Sequence, residues 1–362
     1  MRKKRFSVRA CIFILVAAMA FCACGSSVGT EGDGQADGDA TADDGAGETQ
    51  ADPGEDPGPD LPPPPESAAV DILVVVDNSG SMAAEQANLR TAFPTLITAL
   101  LDPPIDPATG ARVHEPVRDL HIGVVSTDMG VGGYDVQTCE NPHVGDDGVL
   151  QHDPHGAGCA ASYPSFLSYR IGEAEDPDME LIGAMSADFG CIAELGTNGC
   201  GFEQQLEAAW KALTVHSQAG GANAGFLRPD TLLVVLVMTD EEDCSAADPT
   251  MFDIMSLPYS INLQCFYQAG KLHPVSRYAN DLRSLREHPE HVIVSMIVGV
   301  PLIAACNGRG NALAGCLDQD AMQEVVRPDG EMLEHSCKYP TDCTPFDSPD
   351  VGNCTTAAFL AW

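Results

Sequence analysis

Three stretches of the chain are apolar without alternation, and two of them run straight into polar, acid-bearing segments. Residues 72–76 lead into Asp77-Asn78-Ser79-Gly80-Ser81, and 231–238 (TLLVVLVM) lead into Thr239-Asp240-Glu241-Glu242-Asp243-Cys244. The third, 291–300 (HVIVSMIVGV), ends at Pro301. Runs rich in β-branched residues that lack a period of two predict strands covered on both faces, as in a parallel sheet with helices on either side. A shorter run, 120–125 (LHIGVV), ends in Ser126-Thr127-Asp128 and predicts a further strand. Between the runs the spacing changes. Leu89, Phe93, Leu96, Ile97 and Leu100 predict a helix over 83–101, which Pro94 would kink or split. The segment 203–213 (EQQLEAAWKAL) predicts an amphipathic helix with Leu206, Trp210 and Leu213 on one face. A further helix is expected over 270–287, broken near Pro274. Strands alternating with helices give an α/β fold: a doubly wound, mostly parallel central sheet flanked by helices, here with disulfide-rich loop insertions.

Two regions do not follow that alternation. Residues 129–195, rich in Gly, Asp, His and Tyr, read as a long insertion near the sheet edge that carries the site. Asp146-Asp147-Gly148 and His152-Asp153-Pro154-His155 lie within it, but neither has the spacing of a known metal loop, so solvated decoration is expected. Beyond Pro301 the regular pattern fades into a turn-rich, cysteine-rich stretch. Such a sheet ordinarily closes with one more helix and strand, and 357–362 is too short for both, so either a different edge or a truncated chain is expected.

Composition then sets the compartment and the partners. The formal net charge of −35, with 53 acidic against 18 basic residues, argues against nucleic acid and favours cations and basic partners. The 14 cysteines lack paired zinc spacing and read as disulfides formed in an oxidising compartment. The N-terminus agrees. A basic start, Met1-Arg2-Lys3-Lys4-Arg5, precedes an apolar stretch too short for a comfortable membrane span, ending in Phe21-Cys22-Ala23-Cys24-Gly25-Ser26. This end resembles a bacterial lipobox, which implies a lipid-modified Cys24 and an outer-membrane or cell-surface address, with a periplasmic one as the variant. Ordinary signal-peptide cleavage is the alternative. Once the leader is removed and Cys24 is lipidated, eleven cysteines remain, an odd number. Residues 25–67 hold Gly, Asp, Glu, Ala and Pro with no Lys, Arg or aromatic residue, and read as an extended acidic tether. The expected organisation is therefore a leader (1–24), a tether (25–67), an α/β domain (68–305) and a Cys-rich extension (306–362).

The chemistry concentrates where the apolar strands end. Carboxylates and hydroxyls packed as in Asp77-Asn78-Ser79-Gly80-Ser81 suit a hard divalent cation. Ligands of open α/β sheets bind at that edge. Asp77, Ser79 and Ser81 fit the D-x-S-x-S pattern, and with it the chain resembles a von Willebrand factor type A domain, whose metal-ion-dependent adhesion site opens with this motif. The resemblance implies Mg²⁺, or Ca²⁺ or Mn²⁺, held directly by Ser79 and Ser81. It maps a threonine of the Gly-rich loop before the next helix onto Thr197, and the remaining aspartate onto Asp240. Asp77 and Asp240 would act directly or through water. The implied function is a surface-tethered, metal-dependent adhesion module without catalysis, whose protein or matrix partner supplies a carboxylate to the ion.

Other readings compete. Thr197 in Gly196-Thr197-Asn198-Gly199 also suits an ordinary helix-entry turn. Glu241, Glu242 and Asp243 suit a second cation or, more simply, a solvated acidic loop, since adjacent side chains diverge. A disulfide-rich envelope protein whose metal only stabilises the fold has the same sequence features. A haloacid-dehalogenase-like phosphatase also places an aspartate after its first strand, but it needs a second acid two residues on. That position is Ser79.

Overall fold

The computed structural model describes residues 69–170, 179–255, 257–299, 314–334 and 357–361. The leader with Cys24, the tether, and Cys306, Cys337, Cys343 and Cys354 lie outside these residues. Among the described residues, no helix is long and apolar enough to cross a membrane.

Six strands form one sheet: β1 (Ala69–Val76), β2 (Asp119–Ser126), β3 (Leu167–Arg170), β4 (Leu232–Met238), β5 (Val292–Gly299) and β6 (Ala357–Ala361). Their order is β3-β2-β1-β4-β5-β6. The four inner strands are parallel, and both edge strands are antiparallel to their neighbours. From central β1 the chain winds outward to β2, then returns to place β4 on the other side. The crevice between the ends of β1 and β4 is thus the topological switch point of the sheet, where open α/β folds bind ligands.

Burial explains why β1 lacks alternation. Leu73, Val74, Val75 and Val76 have no exposed surface, because each sheet face carries its own core. One face packs Val70, Ile72, Val74 and Val76 against α1 (Ala83–Leu101) and α2 (Met179–Ala193). The other packs Leu73 and Val75 against α3 (Gln205–Thr214) and Leu282 of α4 (Val275–Arg283).

The helices depart from expectation in instructive ways. α1 runs unbroken through Pro94. A proline inside a helix costs about 3 kcal/mol. Burying Phe93, Leu96, Ile97 and Leu100 returns about 1.5–3 kcal/mol each, so packing wins. In α3 the buried stripe is Gln205, Ala208, Ala209, Ala212 and Leu213, while Leu206 and Trp210 sit partly exposed. The small alanines bring the helix close to the sheet. Trp210 instead donates its indole N–H to Asp281 (2.8 Å) and stacks under Arg277. The helix expected over 270–287 is confined to α4, which begins directly after Pro274 and ends at Arg283.

The segment 129–195 contributes to the main fold. It supplies edge strand β3 and helix α2, whose Ile182, Met185, Phe189 and Ile192 enter the first core, with Phe189 stacked on Phe93. Asp146 and Asp147 are structural anchors: the Ser126 hydroxyl donates to Asp146 (2.5 Å), and Lys211 pairs with Asp147. At the other end of the chain, β6 pairs with β5 and closes the sheet.

Among the polar groups buried away from the site are Asp71 and His114. Asp71 of β1 is fully buried among Arg228, Thr231 and Arg286. His114, 5% exposed, has its pKa pushed down chiefly by burial, which the Glu115 carbonyl partly offsets. A histidine lowered in the folded state contributes stability that is present above its unfolded value near 6.5 and is lost as pH falls through the folded value. Substituting His114→Gln should flatten the decline in urea midpoint below about pH 6.5. An unchanged slope would show that His114 does not titrate with unfolding.

Candidate metal centre

The ends of β1 and β4 deliver their loops to one place. The Asp77 N–H donates to the Met238 carbonyl (3.0 Å), which carries the ladder one residue past the strands. Asp77 is fully buried, and both of its oxygens accept hydrogen bonds. Oδ1 takes the Ser79 N–H (2.8 Å), and Oδ2 takes the Thr239 hydroxyl (2.6 Å). Ser79 Oγ lies 3.3 Å from Ser81 Oγ, and Ser81 Oγ donates to Asp240 Oδ1 at 3.1 Å. Four of the five sequence candidates, Asp77, Ser79, Ser81 and Asp240, thus form one connected group of oxygens. Asp77 lies at its floor, while Ser81 and Asp240 stand exposed at its rim.

Thr197 belongs to a third loop that is drawn to the same place. The buried Gln86 amide donates to the Asp77 carbonyl (2.7 Å) and the Gly196 carbonyl (2.8 Å), and its oxygen accepts from the Gly196 N–H (3.0 Å). The Gly199 N–H donates to the Asn78 carbonyl (2.8 Å), and a Cβ at Gly199 would collide with the Asn78 amide. Glycine at 199 therefore permits the two loops to touch. Gln86 was legible in principle. It is a polar residue on the stripe of Met82, Leu89, Phe93 and Leu96, where a solvent-facing role would put it elsewhere.

Glu203, the first residue of the helix expected over 203–213, lies two residues before α3. It is 4% exposed. Its backbone is fixed on both flanks of Asp77: the Cys244 N–H donates to the Glu203 carbonyl (2.8 Å), and the next residue, Gln204, donates its N–H to the Thr127 carbonyl (3.0 Å). Burial holds its carboxyl well above the usual range, and the charges of Asp77, Glu241 and Asp240 push the same way. Burial likewise raises Asp77, against hydrogen bonds from Thr239 and Ser79. Glu85, on the first turn of α1, is raised by burial and by Asp240 and Asp77. Asp243 is pushed up to about 6 by burial, but it is neither a solvated loop residue nor placed as a ligand. It caps α3, accepting the Leu206 N–H at 3.0 Å and the Ser245 hydroxyl at 2.8 Å.

These residues fit a hard divalent cation. The donor set is all oxygen, carboxylate and hydroxyl, as Mg²⁺, Mn²⁺ and Ca²⁺ prefer. The carboxylates crowd one another with no lysine or arginine among the charges that perturb them. Three buried oxygens around the group, Asn78 Oδ1, Glu85 Oε2 and Thr127 Oγ1, have no hydrogen-bond partner. Buried polar atoms are rarely left so, and an ion or its water shell would satisfy them. Among the described residues, Glu242 with Cys244 and Cys265 is the one set of three or more His, Cys, Asp or Glu whose ligand atoms all lie within 4.8 Å of one another; Asp77 and Asp240 do not belong to such a set. The two sulfurs are bonded to each other as a disulfide, so that set offers a cation only one carboxylate.

The loops rest on a small core of their own. Val131, Val136, Phe202, Met251 and Phe252 pack together around the disulfides Cys139–Cys200 and Cys244–Cys265. A third disulfide joins Cys159 to Cys191, and Cys316 is also disulfide-bonded. Cys244–Cys265 closes a separation of 21 residues directly behind the acidic loop. Replacing both cysteines by alanine should cost about 3 kcal/mol by chain entropy, read as a lowered urea midpoint. A midpoint equal to the parent's would mean that the loop core holds without the cross-link.

No protein-family model matches the chain, and no curated protein matches it in sequence.

Proposed function

We propose that the chain is an exported, tethered binding module of the von Willebrand factor type A kind, non-catalytic, in which a divalent cation organises the partner surface. The observation that carries this reading is the Ser81–Asp240 hydrogen bond at 3.1 Å, which spans 159 residues of sequence to join the Asp77 loop to the β4 loop. A cation held by Asp77, Ser79, Ser81 and Asp240, with Thr197 on the adjoining loop, would tie three loops into one surface. Mg²⁺, Mn²⁺ or Ca²⁺ supplies positive charge and a fixed ligand geometry; the loops supply specificity. Binding is favoured over phosphoryl transfer because both Asp77 oxygens are held by hydrogen bonds and Ser79 occupies the position of the required second acid. The leader, the lipobox-like Cys24 and the acidic tether support placement at the outer membrane or cell surface, away from the lipid. The test is capture from the native envelope with immobilised protein. Partners retained in Mg²⁺ should elute in EDTA and be absent with Asp77→Ala. Retention in EDTA would falsify the metal-dependent mechanism.

A further inference from the structure

The cation reading leaves open how Thr197 can serve a centre built at the ends of β1 and β4. Gly196, beside it, lies 110 residues along the chain from Gln86 of α1. Resting on that cation reading, we propose that Gln86 is a positioning residue of the centre. Its amide fastens the Thr197 loop to the Asp77 loop, and the contribution of Thr197 to ion binding passes through that fastening.

The amide is used in full. Its two N–H groups go to different loops, one to the Asp77 carbonyl at 2.7 Å and one to the Gly196 carbonyl at 2.8 Å. A single nitrogen therefore holds both loops. The amide oxygen accepts the Gly196 N–H at 3.0 Å, so Gln86 pairs with both backbone groups of Gly196, as a neighbouring strand would. Turned about, the amide would set its oxygen against two carbonyls, so the backbone alone fixes its orientation. Gly196 has φ of +80°, where a side chain would strain the turn that presents those groups. The position of Gln86 argues for place rather than stability. It is 2% exposed, among Met82, Leu89 and Phe93 of the first core, where an apolar side chain would complete the stripe. Burying an amide gives up hydration that its hydrogen bonds restore, so what it adds is where the loop is held. A second fastening lies three residues on, where the Gly199 N–H meets the Asn78 carbonyl at 2.8 Å. Thr197 and Asn198 span the gap between fastenings to Asp77 and Asn78, consecutive residues of the motif. At that seam Asn78 Oδ1 is buried without a hydrogen-bond partner, close against Gly199.

The test is a Mn²⁺ titration of the full chain, following the resonance of free Mn²⁺, across a double-mutant cycle of Gln86→Glu and Thr197→Ala. Gln86→Glu keeps the length and the acceptor for the Gly196 N–H but removes both donors. It should weaken Mn²⁺ binding by about fivefold or more, although the charge it adds beside Asp77 would by itself tighten a cation. Thr197→Ala should weaken binding to a similar extent, and adding Gln86→Glu to it should change the affinity by less than about twofold. A cooperative urea transition in EDTA verifies that each variant folds. Should Gln86→Glu not fold, Gln86→Met, which keeps the apolar stripe, takes its place in the same cycle with the same expected pattern. An affinity of the Gln86 variant within about twofold of the parent, no loss in Thr197→Ala, or equal Gln86 losses with and without Thr197 overturns the proposal. Each of these leaves the cation site standing. Undiminished Mn²⁺ binding by Asp77→Ala instead removes the cation reading itself.

Discussion

Asp71→Ala is expected to destabilise the fold by about 3–5 kcal/mol, the cost of breaking a buried ion pair from one side. Asp71 has no exposed surface. Its carboxylate accepts the Arg228 N–H (2.8 Å), the Arg228 Nε–H (2.8 Å) and the Thr231 hydroxyl (2.6 Å), and Arg286 Nη2 stands 3.5 Å away. The Arg286 side chain is only 2% exposed, so it cannot turn to water when its partner is lost. The damage falls at the start of β1, the end of the strand opposite Asp77, and so separates stability from cation chemistry. For a domain of this size the melting temperature should fall on the order of 10 °C. Asp71→Asn keeps the shape and some hydrogen bonds and should lose less. A melting temperature within 2 °C of the parent for Asp71→Ala would show, by the same scale, that the two arginines find other partners.

The second large effect is stabilisation by the cation. In EDTA, the negative charges of Asp77 and Asp240 disfavour ionised Glu203 and Glu85 near the ends of β1 and β4. An ion that binds only the folded chain adds about 4 kcal/mol at a free concentration a thousandfold above its Kd. Adding Mg²⁺ or Ca²⁺ to the EDTA-treated protein should therefore raise the urea midpoint, whereas Asp77→Asn should leave the two midpoints together. The same comparison addresses a metal that merely stabilises. Stabilisation by Mg²⁺ with no Mg²⁺-dependent partner would favour the structural envelope role over adhesion.

The sheet and the rim of the site were legible because their signals are local. Apolar runs ending in Asp77 and Asp240 fixed two strands and the chemistry at their ends, and a motif tied Ser79 and Ser81 to the first. What escaped depended on burial that local polarity hides. Phe202, Glu203, Gln204 and Gln205 are all buried, yet three of the four are polar, and polar residues at the start of an amphipathic helix carry no local sign of burial. The α2 stripe of Ile182, Met185, Phe189 and Ile192 has helical spacing, but glycines and acidic residues around it obscured the pattern. β6 has only five residues and gains its identity from pairing with β5, a contact that no local pattern announces. Pro94 did not split α1, since the packing of α1 against α2 outweighs the local cost of the proline.

The most direct measurement is a calorimetric titration of Mg²⁺ and Ca²⁺ into EDTA-stripped, dialysed protein, beside Asp77→Asn. One ion should bind per chain to the parent and none to the variant. Equal binding by both, or no binding by the parent, contradicts a cation centre at the end of β1.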